Sequence, residues 1–200
     1  MNNWKKLSNI HGNIRRMIKK RRFKKGAILE ADIQVGSRSN CVNFSSKKEN
    51  IHIGAACEIQ GVVATMENGK ITIGAHSFIG QDSVIGAVDE IKIGRYAIIS
   101  NHVHLYDNNN HPTDPDTRIE MCKSGFYNEK WGWKYAEHEP IIIEDNVWIG
   151  EYSAVMKGVK IGKGAVIGAH SVVTRDIPPY SIAAGNPAKV VKELPHNGKH

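Results

Sequence analysis

Large aromatic side chains are scarce in this 200-residue chain, at 7% of the composition, so its core is not built from rings. Long apolar runs are missing too, which excludes a membrane-spanning helix. The opening 26 residues are charged throughout and hold no apolar h-region, so no secretory signal is expected there. Cysteine is sparse: Cys41, Cys57 and Cys122 are odd in number and lack metal-ligand spacing. Free thiols in a reducing cytoplasm are expected, not a disulfide framework. Acidic side chains are absent from residues 1–25, which carry ten lysines and arginines, whereas the other 175 residues carry 17 basic and 20 acidic groups. The net +7 therefore describes a basic arm on a mildly acidic body. With 40% hydrophobic and 24% charged residues, the chain is globular in composition and short enough for one domain with an appendage.

What is present is a repeat. Apolar-x-apolar-Gly recurs at Ile33-Gln34-Val35-Gly36, Ile51-His52-Ile53-Gly54, Ile71-Thr72-Ile73-Gly74 and Ile91-Lys92-Ile93-Gly94, and related segments begin at Ile141 and Val159. The starting points are separated by 18, 20, 20, 50 and 18 residues. Eighteen is three hexads, and one hexad register runs Val35, Cys41, Lys47; Ile53, Ile59, Thr65; Ile73, Ile79, Ile85; Ile93, Ile99, Leu105; Ile143, Ile149, Val155; Ile161, Ile167, Val173. Sixteen of these eighteen are apolar, where the composition would place about seven, so chance does not explain the pattern. A period of six means short strands joined by corners, with one inward side chain per side and three sides to a coil. No coil buries its inward residues alone, so stacked coils form the core. A β-sandwich gives no reason for an 18-residue step.

Together with Asn146-Val147-Trp148-Ile149-Gly150 and the ending Ala184-Gly185-Asn186-Pro187-Ala188-Lys189-Val190-Val191, the array resembles the hexapeptide-repeat acyltransferases. It is most similar to the O-acetyltransferases that use acetyl-CoA on sugars, polysaccharides and some antibiotics. The resemblance covers roughly residues 32–193. It implies an all-β fold, a left-handed parallel β-helix, which departs from the usual right-handed crossover. It also implies a homotrimer with active sites between subunits. The expected organisation is a basic amphipathic helical arm at 1–30, a β-helix at 31–193 with an excursion at 106–140, and a tail at 194–200.

In that family a loop histidine in a His-Pro context is the general base, and the match here is His111-Pro112. A neutral imidazole suits the task, because a sugar hydroxyl must lose its proton as it attacks a thioester. His102, His104 and His138 are rivals. The group that orients the ring is left open among Asp107, Asp114, Asp116 and a backbone carbonyl. Direct transfer needs no acyl-enzyme, and Cys122, in the same loop, is expected to be buried. The resemblance places CoA against Glu151, Ala169, Thr174, Arg175, Lys189 and Lys192, with the cations on phosphates. It places Asp82 where the family often has a sugar-binding asparagine. Five of the fourteen aromatics fall in 126–135, and Trp131 and Trp133 are candidates for stacking on a sugar, or for a small core that anchors the loop. Trp148 is expected at the site wall.

The arm sets Trp4, Leu7, Ile10, Ile14, Met17 and Ile18 at helical spacing. It reads either as a cap on the first coil or as a contact with an anionic membrane surface at the cytoplasmic face, or as both. Nucleic acid is not an expected partner, since the body is acidic. The leading expectation is acetyl-CoA-dependent O-acetylation of a saccharide, in surface-polysaccharide synthesis, with no metal required. The alternatives are N-acetylation of an amino sugar, a zinc enzyme of the carbonic-anhydrase type using His76, His102 and His104, and a non-catalytic scaffold.

Overall fold

The computed structural model describes residues 17–45, 47–126 and 128–195. The hexad turns the chain through three sides, and each side hydrogen-bonds to the same side of the next coil. Strands therefore pair in parallel with strands one coil away, and three sheets form the faces of a prism. The first face joins Ile28–Leu29, Ile51–Ile53, Lys70–Ile73, Glu90–Ile93, Ile141–Ile143 and Lys160–Ile161. The second joins Gln34–Val35, Glu58–Ile59, Phe78–Ile79, Ile98–Ile99, Trp148–Ile149 and Val166–Ile167, and ends in the antiparallel pair Ser181–Gly185 and Ala188–Glu193. The third joins Asn40–Asn43, Val62–Thr65, Val84–Ala87, His104–Tyr106, Ala154–Val155 and Val172–Val173. This is the left-handed parallel β-helix.

Inward columns fill the prism. Ile59, Ile79, Ile99, Ile149 and Ile167 rise in one file without exposure, and Val63, Ile85 and Leu105 rise in another. Serines stand inside near the corners, where their hydroxyls bridge successive coils. Ser83 Oγ donates to the Ser100 carbonyl (2.6 Å) and accepts from the Val103 amide (2.9 Å). This buried hydroxyl is thus paired along the stacking direction.

Two hexad assignments are corrected. Val35 stands beside Ile59, Cys41 beside Val63, and Leu29 beside Ile53, so the first coil begins one hexad earlier than the sequence register, at Ile28. In the next coil the residue beside Ile85 is Val63, four residues after Ile59, and Thr65, also buried on that strand, stands beside Ala87. Gly61 makes that short corner, since a Cβ there would lie 2.4 Å from the Ser83 carbonyl oxygen. Lys47 is exposed and occupies no inward column.

Between the second and third faces the corner residues Asp82, His102, Tyr152 and His170 all have φ near +57° (57, 56, 57 and 56°). Left-handed backbone costs an L-residue roughly 1–2 kcal/mol. Here ring stacking offsets it: His102 lies 4.5 Å from Tyr152, and Tyr152 lies 5.0 Å from His170, with planes within 6°.

Residues 17–26 form helix α1 over the open end. Phe23, fully buried, is the side chain that docks, while Met17 and Ile18 are 55% and 47% exposed. The chain enters the first coil directly at Ala27, so only the last turn of α1 reaches the core. The rest of the expected stripe, from Trp4 to Ile14, lies outside the described residues.

Ile91→Ala, at a fully buried position, should lower unfolding free energy by about 2–5 kcal/mol. Lys92→Ala, the exposed next residue, should change it by less than about 0.5 kcal/mol. Denaturant titration of both variants checks the alternation.

Candidate active site

The excursion leaves the prism at Tyr106 and is pinched shut at its neck. Asp107, with no solvent exposure, accepts hydrogen bonds from the amides of Val88 (3.0 Å) and Asp89 (2.8 Å) and from Asn108 Nδ2 (3.0 Å). Burial pushes its carboxyl above the usual range, against the pull of those donors. Across the neck the Glu139 amide donates to the Asp107 carbonyl at 2.9 Å.

Beyond the neck the chain turns sharply. The Asn110 amide donates to Asn108 Oδ1 (2.8 Å) and the His111 amide to the Asn109 carbonyl (2.7 Å). Helix α2 (Pro115–Lys123) follows, started by Pro115 and capped by Asp114, whose carboxylate accepts from the Thr117 amide at 2.7 Å. Arg118 on α2 donates back to the carbonyls of Pro112 (3.0 Å) and Thr113. Glu137, from the returning limb, accepts from Asn109 Nδ2 (2.9 Å) and from the Thr113 hydroxyl. One carboxylate thereby spans the two sides of Asn110-His111-Pro112. The Thr113 hydroxyl first, then Glu137's own backbone amide and Asn109, hold that carboxyl down at about 2.

His111 is exposed and overhangs a cleft of about 490 Å³. Its floor is the third face, from His104 and Tyr106 to Ala154 and Met156, and Arg118 closes one side. Trp131 meets the imidazole edge to face, with centroids 5.6 Å apart. Among the described residues no hydrogen bond engages the His111 ring. Asp107 is committed to the neck and Asp114 to the cap, so the ring is held by its loop and by Trp131. Trp133 instead packs on Tyr106 (5.5 Å) and anchors the loop, over a space kept open by Gly86. Of the rival histidines, His104 shares the cleft, His102 is stacked in the corner column, and His138 Nδ1 lies 3.4 Å from Asp89 Oδ2.

The expected cofactor residues are all exposed around the last coils. Glu151 and Ala169 are corner neighbours in successive coils, the Glu151 carbonyl accepting from the His170 amide at 2.8 Å. Thr174 and Arg175 follow the last third-face strand, and Lys189 and Lys192 lie on Ala188–Glu193. Among the described residues none of these three cations is in an ion pair. Two expected acceptor residues do not line the cleft within one chain. Asp82 sits on the corner near Arg38 (3.7 Å), and Trp148 lies on the second face, half exposed, donating to Ser100 Oγ (3.2 Å). Cys122 is exposed on α2, contrary to expectation, because its side of the helix does not face the prism. Cys41 is raised to about 11 by burial, which makes it a poor nucleophile. His76 stacks on Tyr96 at one corner and His102 on Tyr152 at another, and among the described residues no His, Cys, Asp or Glu trio is placed to hold a metal within the chain. The sequence reading missed Arg118 and Glu137. Glu137 stands 26 positions after His111, with no local spacing to mark it.

Glu137→Ala should speed amide exchange across residues 109–113 at neutral pH. Because the folded carboxyl is depressed from 4.5 to about 2, the clasp contributes fully above 4.5 and is lost as pH falls through about 2. Wild-type loops should loosen only in that window. Equal protection in variant and wild type, corrected for intrinsic rates, would show that the clasp does not hold the loop.

Comparison with known proteins places this geometry. Residues 140–175 match the family of the bacterial transferase hexapeptide (six repeats), and residues 70–106 match the hexapeptide repeat of succinyl-transferase. The Staphylococcus aureus protein SAV2555, which carries an acetyltransferase name, is 54% identical over 69 residues, 34% of each chain. The matched part thus spans about a third of that relative. The crystal structure of the polySia-specific acetyltransferase NeuO is 27% identical with a TM-score of 0.66, covering 87% of this chain and 70% of that one. A maltose O-acetyltransferase from Clostridium difficile 630 is 28% identical with a TM-score of 0.55, over 86% and 71%. In its hexads, parallel prism and single long excursion, this chain carries hexapeptide repeats of the transferase type and is similar in fold to those acetyltransferases.

Proposed function

We propose that the protein is an acetyl-CoA-dependent acetyltransferase acting on a saccharide hydroxyl, with His111 as general base. The observation that carries the reading is an exposed imidazole, unbonded at its ring nitrogens among the described residues, held over a cleft by a clasped loop. A neutral ring nitrogen accepts the hydroxyl proton while the oxygen attacks the thioester carbonyl. Collapse of the tetrahedral intermediate breaks the carbon–sulfur bond, and the departing thiolate takes the proton back from the imidazolium. Acetyl ester and CoA thiol leave, and the enzyme returns to its starting state without a covalent intermediate.

Arg175, Lys189 and Lys192, which have no ion pair among the described residues, supply cations for the donor's phosphates, with Glu151, Ala169 and Thr174 beside the path of the pantetheine arm. The names of NeuO and the maltose enzyme support a sugar acceptor, and NeuO's supports a role in polysaccharide modification. An amino sugar at the same site would give the N-acetyl product, and an acceptor panel separates the two. Assembly through the second face is supported by a row of Phe78, Ile98, Trp148 and Val166 in direct register, with Ile98 and Trp148 about half exposed. A homotrimer is the closed form we assign, and light scattering reads its mass. Exposed Arg21, Arg22, Lys24 and Lys25, beside exposed Met17 and Ile18, suit an anionic membrane surface at the cytoplasmic face. Among the described residues no helix is long and apolar enough to cross a membrane.

His111→Ala should lower kcat by about 10²–10⁴-fold with the calorimetric affinity for acetyl-CoA unchanged. Near wild-type thiol release from that variant would remove His111 from the reaction. Arg175→Ala should raise the KM for acetyl-CoA several-fold while leaving kcat largely intact, about 1 kcal/mol of lost charge-assisted binding.

A further inference from the structure

A second groove of about 480 Å³ lies between the excursion, at Asn128 to Gly132, and the first coils, at Phe44, Met66 and Glu67. Phe44, Met66 and Trp131 supply its apolar lining, and Glu67, Asn128 and Glu129 its polar side chains. Phe44 is 65% exposed at a corner where no core contact explains it. Trp131 links the two spaces: it lines this groove, and its ring stands 5.6 Å from that of His111, which lines the cleft.

We propose that this groove is the acceptor subsite and that it takes an uncharged saccharide; the inference rests on the reading of His111 as the base. Position supports it first. The cations suited to the acyl donor lie around the last coils, and this groove lies towards the first, so the imidazole stands between donor and acceptor. Chemistry supports it next. A pyranose presents an apolar C–H face, which stacks on Phe44 and Trp131, while its rim of hydroxyls reaches Asn128 and the two carboxylates. Charge then narrows the class. Lys134 is shared by Glu129 (2.9 Å) and Glu67 (3.6 Å), so two carboxylates meet one ammonium. The excess negative charge disfavours an acidic sugar and costs a neutral one nothing.

Acetyl transfer to maltose, glucosamine and N-acetylneuraminic acid tests the proposal, together with saturation-transfer NMR of maltose on the full chain. Wild type should favour maltose over N-acetylneuraminic acid. Phe44→Ala and Met66→Ala should each raise the maltose KM by about fivefold or more, with the calorimetric Kd for acetyl-CoA unchanged. Glu67→Lys should shift the preference between acidic and neutral acceptors by about tenfold towards the acidic one. Turnover with a maltose KM unmoved by both apolar variants would overturn the groove and leave the His111 reading standing. Saturation transfer to maltose that is lost in Phe44→Ala, without turnover on any acceptor, would uphold the groove and overturn that reading. Neither turnover nor saturation transfer would overturn both, and a wild-type preference for the acidic sugar would overturn the charge argument.

Discussion

Everything in this molecule depends on one coil hydrogen-bonding to the next. A single turn of 18 or 20 residues has no interior, because its inward side chains meet only their counterparts one coil away. Ile79 is buried by Ile59 below and Ile99 above, and the serine hydroxyls near the corners are satisfied in the same direction. Cooperativity therefore runs along the prism axis, and a fault in one coil is felt by both neighbours.

The site borrows its rigidity from that axis. Its floor is two adjacent third-face strands, whose backbones are fixed by the ladder, and only its roof is irregular chain. Irregular chain holds a geometry when its turns are tied. Here Asp107 ties the neck, Arg118 ties the carbonyls after His111, and Glu137 ties both flanks of it. For the base we propose, this matters because a proton acceptor must keep its own nitrogens free; the constraint comes from the backbone on either side of it.

The prism was legible in the sequence because its period is short and its inward residues are nearly all aliphatic. The first coil starts one hexad before the apolar pattern suggests: Cys41 and Lys47 continue in sequence a file from Val35, whereas Leu29 precedes Val35 in space. Thr65 is buried, as its hexad position implies, but a four-residue corner at Gly61 puts Val63 beside Ile85 and Thr65 beside Ala87, which breaks the count without changing the pattern of apolar letters. In the site, His111-Pro112 could be picked out by resemblance and by the long excursion around it. Glu137 could not, since the contact that brings it to Thr113 is made by a loop folding on itself. Trp148 and Trp131 look alike on paper, and only the coil geometry separates a ring on the second face from one beside the imidazole. The stripe on the arm ran through Met17 and Ile18, yet Phe23 docks, because the entry point of the first coil decides which turn of α1 reaches the core.

Leu105 and Val155 are direct neighbours in the third face although fifty residues separate them, and Ile93 and Ile143 are likewise paired. The ladder closes beneath the excursion as though it were not there. Such an insert behaves as a cassette: it can grow, shrink or be exchanged at the cost of one buried carboxylate seal, and the scaffold keeps its register. A lineage of such chains can then vary one loop without renegotiating the packing of the whole.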